Sequence, residues 1–367
     1  MHGYTGSRKN PYAESEKESV MTQETRIAAP EEAAALIELY YEKGWTDGLP
    51  VVPPSESSVN AMLTAAGLDG DAVVGEVKVR NTQITAQKVA VNAVMAGCLP
   101  EYMPVVVSAV KGLCSEDFGY HGVATSTGGA SIVIIVNGPV ARDLGINAKD
   151  NAFGPGFRPN MTIGRSLRLL MMNAINTRPG KLDRSTLGSP GKIAFCFAEN
   201  EEASPWEPLH VERGYAIEES TTTLFAAEGI HQTYNQLSST PEPLLTGMAD
   251  AMANMGSANI VGQQQLVVVL AGEHTEVLRK SGWSKKEVKQ FLYEKATRSI
   301  ADLKGAGRLP GKIEAEDATT LRHPVRSPDD IVVVCAGGAV GCFSACLTGW
   351  SSHQSTRSVT TPIIVPN

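Results

Sequence analysis

The sequence lacks any apolar run near the roughly 18 to 20 residues that a membrane-spanning helix needs. Its amino-terminal residues also lack a basic-then-apolar signal pattern. A cytoplasmic protein is therefore expected. Clusters of lysine and arginine are missing too, and the formal net charge is -7 at pH 7. Because nucleic-acid binding depends on neutralising phosphates with such clusters, nucleic acid is excluded as the main partner.

Cysteine is scarce, with six residues spread over a chain of 367. Their spacing is not that of a disulfide framework, and no C-x-x-C or H-E-x-x-H motif is present. Reduced thiols are expected. The turn Gly337-Gly338-x-x-Gly341 resembles a phosphate loop, yet it lacks the G-x-G-x-x-G spacing and the lysine of a P-loop. A nucleotide cofactor is therefore not expected, and the cofactor stays unidentified.

Three continuous apolar runs are the main signal for the fold. They cover residues 132–136, 266–270 and 331–335, are rich in branched side chains, and each ends in a glycine-containing turn. Such runs are typical of strands that are covered on both faces. With helical patterns between them, they predict an α/β fold whose mostly parallel or mixed sheet is covered by helices.

The chain is predicted to divide into a leader and two lobes. Residues 1–25 are polar, charged and aperiodic, which is the composition of a disordered leader. Residues 26–235 are predicted to form an α/β lobe that carries most of the site, and residues 236–367 a second α/β lobe.

The strongest functional signal is the acidic segment, defined here as residues 193–212. An alternating apolar run leads into Glu199, Glu201, Glu202, Glu207 and His210, while Trp206 stands between two prolines that stiffen the backbone. Carboxylates and an imidazole presented from a constrained loop at a strand end suit general acid/base chemistry. The alternative is an acidic loop that simply faces solvent.

Other candidates also follow apolar runs or lie in unusual loops. Tyr120 and His121 begin a loop rich in glycine, serine and threonine, and Cys335 ends an apolar run, where it would be a nucleophile if a base lay beside it. Asp47 stands between two glycines, either as an Asx-turn residue or as a carboxylate that reaches a site.

A group of amide and guanidinium side chains precedes and begins a predicted helix. It comprises Asn151, Arg158, Asn160 and Arg165. A helix amino terminus with arginines beside it can hold an anion, so a substrate carboxylate is expected there. The alternative pairs Arg165 with a glutamate of the acidic segment.

A metal site is the alternative enzyme interpretation. His121, Glu202 and His210 would supply the mixed nitrogen and oxygen ligands that several divalent ions accept.

Five motifs resemble those of a family of uncharacterised bacterial proteins: GWTDGLPVVPP, YHGVATSTGGA, NGPVARDLGIN, FGPGFRPNMTIGRSLRLL and FAENEEASPWEPLHVERG. The resemblance covers roughly residues 33–362. Members of that family often accompany, or are fused to, a small protein with a Cys- or selenocysteine-Gly-Ser-Cys motif. The resemblance therefore implies thiol chemistry shared between two polypeptides. The nearest segment here, from Cys342 to Cys346, does not match that motif, so a thiol or selenol partner would be a separate chain.

Together these features predict an enzyme that acts on a small, polar, anionic metabolite. Cleavage of a carbon–heteroatom bond by acid/base, thiol-assisted or metal-assisted chemistry is expected, of the lyase, hydrolase or thiol-dependent reductase type, in a homo-oligomer. Glu201 or Glu202 and His210 should share a cleft with His121 and Arg165. The non-enzymatic alternative is a scaffold or substrate-delivery subunit for a thiol or redox partner.

Overall fold

The computed structural model describes residues 30–350 and 356–366, so the predicted leader lies outside the described residues. The described helices are α1 (Pro30–Glu42), α2 (Glu56–Ala66), α3 (Ala86–Ala96), α4 (Met103–Cys114), α5 (Tyr120–Thr125), α6 (Pro139–Asp143), α7 (Arg158–Asn173), α8 (Leu209–Glu212), α9 (Pro241–Met252), α10 (Asn259–Gly262), α11 (Gly272–Lys280), α12 (Lys285–Lys295) and α13 (Ile300–Gly305). The described strands are β1 (Val73–Val77), β2 (Thr82–Thr85), β3 (Ser131–Asn137), β4 (Cys196–Ala198), β5 (Thr221–Tyr234), β6 (Leu266–Leu270), β7 (Arg298–Ser299), β8 (Leu321–Arg322), β9 (Ile331–Cys335), β10 (Phe343–Gly349) and β11 (Val359–Pro362).

A seven-stranded mixed sheet forms the centre of the described chain. Its strand order is β4-β3-β5-β10-β6-β9, and β11 pairs with β5 beside this path. The pairs β3/β4 and β6/β9 are parallel, and the other pairs of this sheet are antiparallel. The predicted α/β fold with a mixed sheet covered by helices is therefore confirmed. Residues 236–367, the predicted second lobe, contribute β6, β9, β10 and β11 to this one sheet.

The long strand β5 joins two similar halves of the sheet. Its first half pairs with β3 and β11, whereas its second half pairs with β10. In each half, two parallel strands lie beside an antiparallel third strand: β4, β3 and β5 in one, and β9, β6 and β10 in the other. The structure thus contains a repeated strand arrangement that no short sequence period reveals.

Three apolar cores surround the sheet, because successive side chains of a strand point to opposite faces. The first core covers the outer face of β3, β4 and β5 with α3, α4 and α7. The second covers the outer face of β6 and β9 with α9, α11 and α12. The third lies on the inner face of the curled sheet, where every main strand except β11 supplies residues. The continuous apolar runs are therefore covered on both faces, as predicted.

The curl of the sheet brings its two edge strands together. The amide of Asn200, just after β4, donates a 2.7 Å hydrogen bond to the carbonyl of Cys335 at the end of β9. Strand twist accumulates across a sheet, so edges that would lie far apart in a flat sheet can meet. The carboxyl ends of β3, β4 and β9 consequently lie in one region.

Local sequence signals explain where two of the helices begin. Ser55 caps α2 by accepting a hydrogen bond from the Ser58 amide, and Ser284 forms the predicted capping box with Glu287 at the start of α12. Among the described helices, none is long and apolar enough to cross a membrane.

Candidate functional site

Glu199 lies where the parallel strands β3 and β4 end. Val136 is opposite Ala198 in the register, so the next residues, Asn137 and Glu199, emerge together at the same edge. Asn137 Nδ2 donates to Glu199 Oε2 at 2.6 Å, and the Leu209 amide donates to the same oxygen at 2.8 Å. Glu199 is only 4% exposed. The strand pairing therefore places a carboxyl group in a buried position at the end of the sheet.

Glu201 and His210 complete the group that we call the Glu199 cluster: Asn137, Glu199, Glu201 and His210. Glu201 Oε1 accepts hydrogen bonds from Asn137 Nδ2 at 2.9 Å and from the Gly138 amide at 2.7 Å. Its side chain is 26% exposed and connects the cluster to solvent, whereas His210 is completely buried. The distance from His210 Nδ1 to Glu201 Oε1 is 3.7 Å, which is too long for a direct hydrogen bond.

The inner core explains why His210 is buried. The short helix α8 inserts Leu209 into the third apolar core, among side chains of β3, β4 and β9. His210, the next residue of the helix, is thereby held against the strand ends.

Four buried polar atoms of the Glu199 cluster have no hydrogen-bond partner among the described residues. They are Asn137 Oδ1, Glu199 Oε1, His210 Nδ1 and His210 Nε2. Each such atom costs about 1 to 3 kcal/mol when it stays unpaired, and proteins rarely leave several together. A small polar molecule or water bound among these atoms would supply the missing partners.

The electrostatics of the cluster suit proton transfer. Burial raises the pKa of Glu199 to about 7, against a lowering effect from the charge of Lys285. Lys285 is itself held by the Glu207 carbonyl at 2.8 Å and by Glu212 Oε2 at 2.9 Å. A carboxyl group with a pKa close to neutrality exchanges protons readily in both directions, as a general acid/base must.

The Cys335 carbonyl accepts a 2.7 Å hydrogen bond from the amide of Asn200, the residue after Glu199, so the structure brings this predicted residue to the cluster. Burial raises the pKa of its thiol to about 11, and the Glu199 charge adds to that effect. The thiol is therefore protonated at neutral pH. Because the thiolate is the reactive form, this environment does not activate Cys335 as a nucleophile.

Two predicted residues of the acidic segment point elsewhere. Glu202 is exposed and lies 3.6 Å from Lys149 in a solvent-facing ion pair. Trp206 donates from Nε1 to the Trp283 carbonyl at 2.8 Å and packs against the second core. Glu202 thus behaves as the alternative of an exposed acidic loop predicts, while Glu201 and His210 do not.

His121 and Tyr120 lie at the opposite end of β3 from the Glu199 cluster. They come before the strand begins, and its seven residues span about 20 Å at roughly 3.3 Å each. His121 Nδ1 accepts from Arg80 Nε at 3.2 Å, and the Tyr120 hydroxyl shares a 2.6 Å hydrogen bond with Thr177. The expected cleft shared by His121, Glu201 and His210 is therefore not formed, because the length of β3 separates its parts.

Arg165 forms a bidentate ion pair with Asp47 instead of facing the cluster. Its Nε lies 2.8 Å from Asp47 Oδ2, and its Nη2 lies 2.7 Å from Asp47 Oδ1. Asp47 Oδ1 also accepts from the Leu49 amide at 3.3 Å, as in an Asx-turn. Arg165 is therefore neither a free anion-binding residue nor a partner of the acidic segment, as the two alternatives predicted. It joins α7 to the segment around Asp47.

The remaining predicted binding residues hold backbone. Arg158 donates twice to the Gly97 carbonyl, and Asn160 bonds to backbone atoms of Asn147 and to the Cys196 carbonyl. Asn151 has a positive φ of 58° and donates to the Pro155 carbonyl. These contacts use the polar groups of the three side chains to shape the loop before α7.

Glu199 belongs to the predicted acidic segment but was given no separate role, and Asn137 and Lys285 were not among the predicted site residues. A signal for Asn137 was present, since it directly follows the apolar run 132–136, just as Glu199 directly follows β4. Lys285 gave no such signal, because its role depends on how α12 packs against the acidic segment.

Within the described ranges, no group of three or more histidine, cysteine, aspartate or glutamate side chains is arranged to hold a metal ion. The proposed set of His121, Glu202 and His210 is not brought together. Comparison with family models, curated proteins and solved structures gave no match for this chain.

Proposed function

We propose that this chain is an enzyme that cleaves a carbon–heteroatom bond in a small polar metabolite, with Glu199 as general acid/base. One observation carries the proposal: the unpartnered Oε1 of buried Glu199 lies in a hydrogen-bonded cluster whose other members, Asn137 and His210, also keep unpartnered atoms. A substrate hydroxyl, amine or amide can donate to Asn137 Oδ1 and accept from His210. The cluster thus offers an acceptor, a donor and a proton-exchanging carboxyl to one small molecule.

The reaction that fits this set is an elimination or a hydrolysis driven by proton transfer. In an elimination, ionised Glu199 removes a proton from carbon and then returns that proton to the departing heteroatom, while Asn137 and His210 hold the substrate. Glu201 keeps Asn137 in place through the shared hydrogen bond at Nδ2. Such positioned proton transfers typically accelerate a reaction by about a hundred- to ten-thousand-fold.

The charges around the cluster favour a neutral polar substrate. The anionic group expected in the sequence would need a cation, yet Arg165 is bound to Asp47, and Lys285 and Lys289 are both bound to Glu212. The cluster itself carries two carboxyl groups. A carboxylate substrate would therefore meet repulsion here, whereas a hydroxyl, amine or amide would meet partners.

Thiol chemistry, if it contributes, is proposed to come from a partner chain. The pKa values of all six thiols are raised, by burial in five of them and chiefly by the hydrogen bond to Glu273 in Cys342. These thiols are protonated at neutral pH and are poor nucleophiles.

Metabolite profiling tests the proposal without knowledge of the substrate. Purified wild type, E199Q and E202Q would each be incubated with a cell extract, and depleted compounds would be identified by mass spectrometry. We expect a small polar compound to be depleted by wild type and by E202Q but not by E199Q. Depletion by E199Q at the wild-type rate, or no depletion by wild type, would overturn the proposal.

A further inference from the structure

Ser344 and His274 form a hydrogen-bonded pair that the Glu199 cluster does not use. His274 Nε2 lies 2.9 Å from the Asn235 carbonyl, and His274 Nδ1 lies 2.8 Å from Ser344 Oγ. Because a carbonyl oxygen only accepts, Nε2 must carry the imidazole proton. Nδ1 is then the acceptor, and the Ser344 hydroxyl donates to it.

The surroundings fix this arrangement. Ser344 on β10 and His274 on α11 are both buried, and the Ala271 amide donates to Ser344 Oγ at 3.2 Å. Burial also lowers the pKa of His274, so the imidazole is neutral at physiological pH. A hydroxyl that donates to a neutral imidazole of fixed tautomer is the arrangement that activates a serine as a nucleophile.

Ser344 lines a cleft large enough for a small substrate. The cleft has a volume of about 320 Å³, and its lining includes Phe153, Gln232 and the turn from Gly337 to Gly341. Two of the glycines in this turn have a positive φ, which leaves the backbone free of side-chain bulk beside the serine.

The charge and polarity of the cleft define the substrate class. Among the described residues, those that line it are uncharged, and two carboxylates lie nearby: Glu273 accepts from the Gly341 amide at 3.3 Å, and Asp150 lies against Gly338. An anionic substrate would be repelled. At the rim, the partly exposed rings of Phe343 and Tyr234 pack with a centroid distance of 5.1 Å and offer an apolar surface.

We propose that Ser344 is the nucleophile of a second site that hydrolyses neutral, short-chain acyl esters, with His274 as its base. Ser344 Oγ bonds to the acyl carbon while its proton passes to His274 Nδ1. The ester C–O bond then breaks, and the leaving alkoxide takes that proton. Water next attacks the acyl carbon, gives the free acid, and restores the serine. This site is independent of the proposed function of the Glu199 cluster.

Labelling with a short alkyl fluorophosphonate, followed by peptide mass spectrometry, tests the proposal. The serine oxygen would bond to phosphorus, and fluoride would leave. In folded wild type we expect one stoichiometric adduct, located on Ser344, and at least about a hundred-fold slower labelling in H274Q. The rate at which H274Q hydrolyses a neutral p-nitrophenyl ester should also be lower than that of the wild type.

Matched variants separate this role from a structural one. Ser108 is also buried and hydrogen-bonded, at 2.7 Å to Thr222, but it bonds to no histidine of the described residues, so S108A should label like wild type. The readout is an adduct on Ser344, whereas the proposed function is tested by depletion of a metabolite, so failure of one can be told from failure of the other. The adduct is located in the wild type, so the result does not depend on whether S344A folds. Absence of an adduct on Ser344, or unchanged labelling of H274Q, would overturn the proposal.

Discussion

Asn137 and Glu199 are joined by a 2.6 Å hydrogen bond from Nδ2 to Oε2 across the carboxyl ends of β3 and β4. The two residues are 62 positions apart in sequence, and parallel pairing of their strands makes them neighbours. The bond occupies one oxygen of the Glu199 carboxyl and leaves the other without a partner. Strand pairing thus creates the feature on which the proposed chemistry depends.

Glu199 should make the stability of the protein depend on pH. Its pKa rises from 4.5 in the unfolded chain to about 7 in the fold, so the folded state binds the proton more tightly. The stabilisation that comes from this tighter proton binding is fully present below pH 4.5 and is lost as the pH rises through 7. At about 1.4 kcal/mol per pKa unit, the loss is about 3 kcal/mol.

Relative to wild type, E199Q should therefore gain about that much stability between pH 4 and pH 8 in chemical denaturation. The exposed E202Q should show no such gain, and parallel curves for E199Q and wild type would contradict the assignment.

Lys285 and Lys289 should have different effects on Glu199, although both bind Glu212. The charge of Lys285 is the largest effect that lowers the pKa of Glu199, whereas that of Lys289 is not among the larger effects. K285M should therefore raise the pKa of Glu199 by more than K289M does. Both variants should lose stability, because each leaves Glu212 with one partner fewer. The titration of Glu199 in the two variants, followed by carboxyl infrared absorption, checks this. Equal pKa shifts in K285M and K289M would show that both variants act by disturbing α8 and not through the charge of Lys285.

Gly138 should tolerate a methyl group far less well than Gly145. Both have a positive φ, 86° and 63°, and Gly138 also has a ψ of -176°, so alanine strains the backbone of either by about 1 to 3 kcal/mol. At Gly138, however, the new Cβ would lie 2.2 Å from the Glu219 carbonyl oxygen, while at Gly145 it would meet open space. Overpacking adds about 1 to 3 kcal/mol to the cost of G138A. Thermal unfolding of both variants measures the difference. G138A should also displace the amide that holds Glu201, so it should reduce turnover where G145A does not.

Arg165 should matter for stability and not for the chemistry of the cluster. Its side chain and that of Asp47 are 14% and 4% exposed, so R165M leaves a buried carboxylate without its partner. We expect a loss of about 3 kcal/mol in the free energy of unfolding. R142M breaks an exposed pair with Asp143 and should cost less than about 1 kcal/mol. The Glu199 titration should be unchanged in folded R165M; a shift there would mean that Arg165 acts on the cluster.

The strands could be predicted because their signal is local. Branched apolar runs require burial on both faces, and the runs at 132–136, 266–270 and 331–335 became β3, β6 and β9. The mixed order of the sheet could not be predicted, because pairing between distant strands leaves no short period in the sequence. For the same reason, the repeated arrangement of the two halves around β5 could not be predicted.

The candidate site was predictable only in part, for a related reason. Glu201 and His210 belong to the acidic segment, and Cys335 ends an apolar run, so the rule that sites form at strand ends finds them. His121 was assigned to the same edge although it precedes β3, which places it at the other end of that strand. Glu201 and Glu202 are adjacent in sequence, and only the fold shows that one is held by the Gly138 amide while the other faces solvent.

The titration of Glu199, measured by NMR with 13C-labelled glutamate carboxyl groups, tests the central claim most directly. It needs no substrate, and comparison of wild type with E199Q identifies the signal. We predict one glutamate resonance with a midpoint near pH 7, present in wild type and E202Q and absent from E199Q. If every glutamate carboxyl of the folded protein titrated below about pH 5.5, more than one pKa unit under the predicted midpoint, Glu199 would be an ordinary carboxylate and the account of the cluster as an acid/base site would be wrong.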